Sequence, residues 1–176
     1  MYTVLEHVNA VYRYDIMESK EHIFMLKDQH KYSINTTYEI HITASYATLR
    51  VIGRVLSSDT AHKKYAIKVY NHGVQNSIHI DIHGICEDRS TMDIELLGAL
   101  TSTSKASIMR LDAHIKLFDN AICKCLPCLD VHTDDVNNAS HGATITSFNT
   151  DIYHYLMSRG MNLHIQKELY KNEFIR

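Results

Sequence analysis

The side chains with most chemistry to offer are thirteen histidines and four cysteines. Cysteine stands at 86, 123, 125 and 128, so three thiols fall inside the short segment Ala121-Ile122-Cys123-Lys124-Cys125-Leu126-Pro127-Cys128. Thiolate and imidazole are ligands that suit transition metals and metal clusters. Cys123 and Cys125 are two apart and share a face if the segment is a strand, whereas Cys128 points the other way unless Pro127 redirects it. Three thiols on one strand do not close a structural zinc site, because no second Cys-x-x-Cys pair follows at suitable spacing. The competing reading of Cys123 and Cys125 is as small apolar core residues. Cys86, followed by Glu87-Asp88-Arg89, falls at an expected strand end. His79, Asp81 and His83 alternate, which puts two imidazoles and a carboxylate on one strand face. With Ile78, Ile80 and Ile82 on the other face, the simpler reading is the solvated side of a strand. No phosphate-cradling glycine loop occurs, so nucleotide hydrolysis is not expected of this chain.

These residues sit on a chain that is short, β-branched and alternating from about Ser33 to Val131. Tyr38-Glu39-Ile40-His41-Ile42, Tyr65-Ala66-Ile67-Lys68-Val69-Tyr70, Ser77 to His83, Met92 to Leu96 and Ile108 to Ile115 all carry apolar residues at every second position. That period is the signature of strands with one face buried. Turn formers such as Ser57-Ser58-Asp59, Asn71-His72-Gly73 and Ser102-Thr103-Ser104 separate them. Even spacing without sequence identity suggests stacked coils of two strands each, although an antiparallel sandwich or barrel gives the same alternation. The end of the chain changes character. Thr150 or Asn149 is placed to cap a helix with Ile152, Tyr155 and Leu156 on one face, Arg159 in its last turn and Gly160 closing it. Asn162 is placed to cap a second helix carrying Ile165, Leu169 and Tyr170. The N-terminal stretch 1–28 is ambiguous: Val4, Val8 and Val11 suit a helix face, while Ile23-Phe24-Met25-Leu26 suits a strand.

Composition narrows the partners. Eighteen Lys and Arg against twenty Asp and Glu leave a net charge of -2, which provides no footprint for nucleic acid. Neither a leader-like N-terminus nor a membrane-length apolar run occurs, and the clustered thiols do not form a spread disulfide framework. A cytoplasmic, reducing setting without membrane insertion is therefore expected.

From Ala121 to Val131, then through Asp134-Asp135-Val136, Ser140-His141-Gly142-Ala143-Thr144, Tyr155-Leu156 and Ser158-Arg159-Gly160, the chain resembles the C-terminal segment of the SufB/SufD family, with these pieces in the family's order. The Ser-His-Gly-Ala-Thr motif is closer to the SufD type. The resemblance implies a right-handed parallel β-helix over 1–148 and a helical segment over 149–176. It implies a non-catalytic scaffold on which an iron–sulfur cluster is built transiently, paired with a second copy or a SufB-like paralogue. It further implies an ABC-type, SufC-like ATPase partner docked on the C-terminal helices, through Tyr153, Tyr155, Leu156, Arg159, Gly160 and Phe174. His141 would lie near the dimer interface as a cluster ligand, with Cys123, Cys125 and Cys128 as accompanying candidates. Departures from the family pattern are the short chain, one extra residue in Asn137-Asn138-Ala139, and Gln166 and Glu173 where the second helix usually carries a small residue and a glycine. The alternatives are a ligand-binding or carbohydrate-active solenoid using the His/Asp-rich strand faces, and a purely structural solenoid.

Overall fold

The computed structural model describes residues 2–6, 8–147 and 150–175. The alternating segments become strands β1 (Tyr2–Val4), β2 (Val11–Ile16), β3 (Glu21–Asp28), β4 (Ile34–Ile42), β5 (Thr48–Ser57), β6 (His62–Asn71), β7 (Ser77–Cys86), β8 (Thr91–Leu100), β9 (Ser107–Leu117), β10 (Ile122–Val131) and β11 (Val136–Ser147), followed by helices α1 (Thr150–Ser158) and α2 (Leu163–Ile175). Odd strands form one sheet in the order β1-β3-β5-β7-β9-β11, even strands another in the order β10-β8-β6-β4-β2. Every pairing is parallel, so each coil lays its two strands over those of the coil before it. The fold is a parallel β-solenoid of about five turns, and the sandwich and barrel alternatives are excluded.

The coil repeats nearly residue for residue. Thr48 pairs with Ser77 and His62 with Thr91, each twenty-nine residues on; Ser77 pairs with Ile108, thirty-one on. The corners keep this step. Asp59, Asp88 and Asp119 all take positive φ near 60° at one corner, as do Tyr46, Gln75 and Ala106 at the other. Aspartate tolerates the left-handed region because its carboxylate bonds nearby backbone. Here the bond runs between coils: the Asp59 N–H donates to Asp88 Oδ2 at 2.9 Å. Gly73 meets the neighbouring coil's backbone so closely that a Cβ would stand 1.8 Å from the Ala44 carbonyl oxygen.

Inward residues stack in files through the coils. Phe24, Val51, Ile80 and Leu111 lie one above another, as do Tyr38, Ile67 and Leu96. All seven are buried, which removes a continuous apolar column from water. Polar groups inside the corners bond one another: Asn76 Nδ2 donates to Asn71 Oδ1 at 2.7 Å and to the Ala44 carbonyl at 2.8 Å. Cys86 is the buried last residue of β7, its sulfur 3.1 Å from Ser90 Oγ, and burial pushes the thiol's pKa up.

One expectation about the strands needs correction. The helix considered through Val4, Val8 and Val11 does not form, because β1 and β2 pair with β3 and β4 and satisfy backbone groups a helix would leave open. The last strand reaches Ser147, within the solenoid expected over 1–148, and the Ser-His-Gly motif lies in it. The extra residue before that motif is absorbed as a register shift between Val136 and Asn138, a β-bulge at which Asn137 Nδ2 donates to the Ala106 carbonyl at 2.9 Å.

At the C-terminus, α1 closes in a Schellman arrangement. The Met161 N–H donates to the Leu156 carbonyl at 3.1 Å, the Gly160 N–H donates to the Met157 carbonyl at 2.9 Å, and Gly160 has φ +83°. Arg159 falls just past the helix rather than in its last turn. Asn162 caps α2, its Oδ1 accepting from the Ile165 N–H at 2.9 Å. Asn149 lies outside the described residues, as do the side chains of Ile152, Tyr153, Tyr170 and Glu173. The hairpin packs on the flank of the solenoid: Lys171 Nζ lies 2.5 Å from Glu87 and Lys167 Nζ 2.6 Å from Asp119. No helix among the described residues is long and apolar enough to cross a membrane.

Candidate functional site

The last coil, β10 and β11, ends both sheets, and each strand keeps one edge without a neighbouring strand. Register gives the direction of its side chains. Cys123 lies over Met92, Cys125 over Ile94 and Pro127 over Leu96, all inward positions, while Cys128 faces outward over Leu97. On β11, Ala139 lies over Met109, His141 over Leu111, Ala143 over Ala113 and Ile145 over Ile115. The four lower residues are buried, yet His141, Ala143 and Ile145 are exposed because no further coil covers them.

His141 thus ends the run Phe24, Val51, Ile80, Leu111, four apolar side chains stacked above Thr3, with an imidazole exposed to solvent. Cys123 and Cys125 line the same open end from the facing sheet, half-buried. Burial, reinforced by neighbouring thiols and Asp93, pushes Cys123 up to about 12, and burial pushes Cys125 up to about 11. Both are therefore neutral thiols at physiological pH, and a bound ion must displace their protons to recruit them. Cys128 is exposed on the outer surface, away from this pair.

The rim adds apolar surface. Ile122, Leu126 and Val131 on β10 and Ile145 on β11 are exposed, and the helices do not fold over them. On the hairpin, Tyr155, Met157, Ile165 and Leu169 are exposed and Leu156 is half-buried, so the helices also leave apolar side chains open to solvent. Phe174 is committed internally: its ring centroid lies 5.0 Å from that of His83, beneath the Lys116 ammonium. Gln166 is fully buried and donates from Nε2 to the Met161 carbonyl at 2.8 Å, tightening the turn between the helices.

Fold and site together define a parallel two-sheet solenoid whose last coil is left uncovered by the described residues, flanked by a helical hairpin. The chain belongs to the family described as SUF system FeS cluster assembly, SufBD core domain, which matches residues 28–169. It is also 32% identical over 72 residues to an iron–sulfur cluster assembly protein SufD of Plasmodium falciparum (isolate 3D7). That stretch covers 41% of this chain and 5% of the Plasmodium protein, so the chain spans a small fraction of this relative's length.

Proposed function

We propose that this chain is a non-catalytic, SufD-like scaffold component of iron–sulfur cluster assembly, with the open end of its solenoid as the surface on which a second SufB/SufD-type subunit docks. The observation that carries this reading is the file Phe24-Val51-Ile80-Leu111-His141, an apolar column ended by a ligating side chain where the interior meets solvent. Unpaired strand edges and exposed apolar residues around it call for a covering surface. His141 is the candidate cluster ligand on this subunit. Cys123 and Cys125 stand across the same opening, with Cys128 on the outer face, exposed and away from the core. The cluster is cargo, assembled and passed on.

The hairpin, through Tyr153, Tyr155, Leu156, Arg159 and Gly160, is the proposed surface for an ABC-type, SufC-like ATPase. Phe174 contributes by holding α2 to the body. The test is a pull-down with purified SufC-like ATPase and SufB-like paralogue, comparing the full chain with a variant ending at residue 149 and with Ile145→Asp. The truncation is expected to lose the ATPase and Ile145→Asp the paralogue. Anaerobic reconstitution of the assembled complex with iron and sulfide is expected to give a visible chromophore that His141→Ala diminishes. ATPase capture by the truncated chain, or paralogue capture unaffected by a charge at position 145, overturns the respective docking assignment.

A further inference from the structure

We propose that Asp81, His83 and His114 form a binding site for one divalent first-row transition-metal ion on the outer face of β7 and β9, beside the end of α2. This site is on the flank of the solenoid and needs neither sulfide nor a partner subunit, so it stands apart from the reading above.

The three residues come together because the coil step places His114 beside His83 on the next strand, while Asp81 is two residues before His83 on the same face. One ligand atom from each lies within 4.8 Å of the others, and all three side chains are half-buried. Two imidazoles and one carboxylate, with open positions left for water, form a donor set that takes ions such as Fe²⁺, Co²⁺ or Zn²⁺.

The orientation of His83 carries the argument. Its Nδ1 lies 3.2 Å from the Phe174 carbonyl oxygen, which can only accept, so Nδ1 bears a proton. Its Nε2 lies 3.1 Å from Asp81 Oδ1. In the neutral imidazole this places a lone pair against a carboxylate oxygen, and a positive centre must stand between them: a shared proton or a metal ion. A separation of 3.1 Å fits either, an N–H···O hydrogen bond or two ligands at about 2.0–2.1 Å from one ion, which stand about 2.9–3.4 Å apart between right-angle and tetrahedral geometry. A backbone carbonyl on the non-ligating nitrogen is also the usual way a metal-binding histidine is fixed in tautomer and aim. The second oxygen of Asp81 is held 3.4 Å from Arg54 Nη1. The His114 ring stands edge-on to His83 with centroids 5.2 Å apart, its ligand atom within 4.8 Å of those of Asp81 and His83.

Nearby charge sets the selectivity. Arg54 touches Asp81, Lys116 lies over Phe174, and Arg110 pairs with Asp112 on the adjoining row. With one carboxylate among the three ligands, and Asp112, which lies beside Asp81 on the next strand, paired with Arg110, calcium and magnesium, which need several anionic or carbonyl oxygens, are disfavoured against an ion bound through imidazole nitrogen.

The test is titration of the full chain, in a Cys123→Ser/Cys125→Ser/Cys128→Ser background, with Co²⁺ and then Zn²⁺ in the absence of sulfide. One equivalent of Co²⁺ is expected, with ligand-field bands and no thiolate charge-transfer band, and Zn²⁺ displaces it. His83→Ala and His114→Ala each weaken binding at least about tenfold, the loss that even outer-shell changes cause. His79→Ala, on the same face but turned toward Ser77, leaves it unchanged. Because an alanine variant can disturb folding, NMR of the histidine rings in the background protein gives a second reading: Zn²⁺ shifts the His83 and His114 resonances and spares His79. Binding lost with the three cysteines, affinity indifferent to both alanine variants, or ring resonances of His83 and His114 that move with pH but not with Zn²⁺ each overturns the proposal. The last result would identify the positive centre as a shared proton only.

Discussion

Lys63 and Lys64 are consecutive in sequence and opposite in fate, which makes replacing each by methionine a direct test of the stacked-coil interior. Lys63 is inward on β6, between Ile34 and Met92, and it and Asp28 are both fully buried. Its ammonium donates to Asp28 Oδ2 at 2.7 Å and to the Leu56 carbonyl at 2.6 Å. Asp28 also accepts from the Tyr65 hydroxyl and from the His30 N–H, the latter at 2.9 Å. Burial opposes ionisation of this carboxyl, but the bonds from Lys63, Tyr65 and His30 outweigh it and hold its pKa below the usual carboxylate range. Lys63→Met leaves the carboxylate buried without its cation, and removing one partner of such a pair costs about 3–5 kcal/mol. Lys64 faces outward with Glu95 3.1 Å away, a partly exposed pair worth at most about 1 kcal/mol. Urea unfolding followed by tyrosine fluorescence and circular dichroism at pH 7 should separate the two variants by at least about 2 kcal/mol. The pH response adds a sign. In the wild type the Asp28 contribution is complete above its unfolded pKa of about 3.9 and is lost as pH falls through the lower folded value. In Lys63→Met the lone carboxyl's folded pKa rises above the unfolded one, so its penalty shrinks on acidification and the gap to wild type narrows. Equal costs for the two lysines, or a gap that widens in acid, would refute the buried pair.

Two further outcomes follow from the open end. Ile115→Ala removes a buried side chain and should cost about 2–5 kcal/mol, whereas Ile145→Ala, directly over it but exposed, should cost under about 1 kcal/mol in the isolated chain; chemical denaturation of both variants gives the comparison. Iodoacetamide at neutral pH, read by mass spectrometry, should label exposed Cys128 first and leave Cys123 and Cys125 largely as thiols, and raising the pH should speed labelling of Cys125, at about 11, before Cys123, at about 12.

Much of this fold was legible because the physics is local. Alternation from Tyr38 to Ile115 marked the strands, Gly160 and Asn162 marked the helix boundaries, and the order of short motifs carried the family. Alternation could not give the direction of pairing, since parallel coils and antiparallel hairpins bury the same faces. The corner aspartates 59, 88 and 119 held a usable signal, a coil-length repeat of one residue type at left-handed positions. Lys63 was opaque, because a lysine beside another lysine reads as solvated surface and its partner Asp28 is thirty-five residues away. His83 and His114 were opaque in the same way: the alternation of His79, Asp81 and His83 was visible, but the third ligand lies one coil further on. Phe174, read from the sequence as part of a partner surface, packs against His83 of β7, a contact alternation could not show.

The uncovered coil ties these features to function. Solenoids stay soluble when their terminal coils are polar or capped. This one carries its apolar pattern into the last coil, leaves Ile145, Ile122 and Leu126 exposed, and sends its helices to the flank. A covering subunit would bury that rim and strip water from His141 and from the half-buried Cys123 and Cys125. Removing competing water favours metal ligation by imidazole and thiol, and ligation drives off the thiol protons. On the proposed reading, docking and cluster holding would then be a single event: cargo would be bound when the end is closed and released when the end reopens.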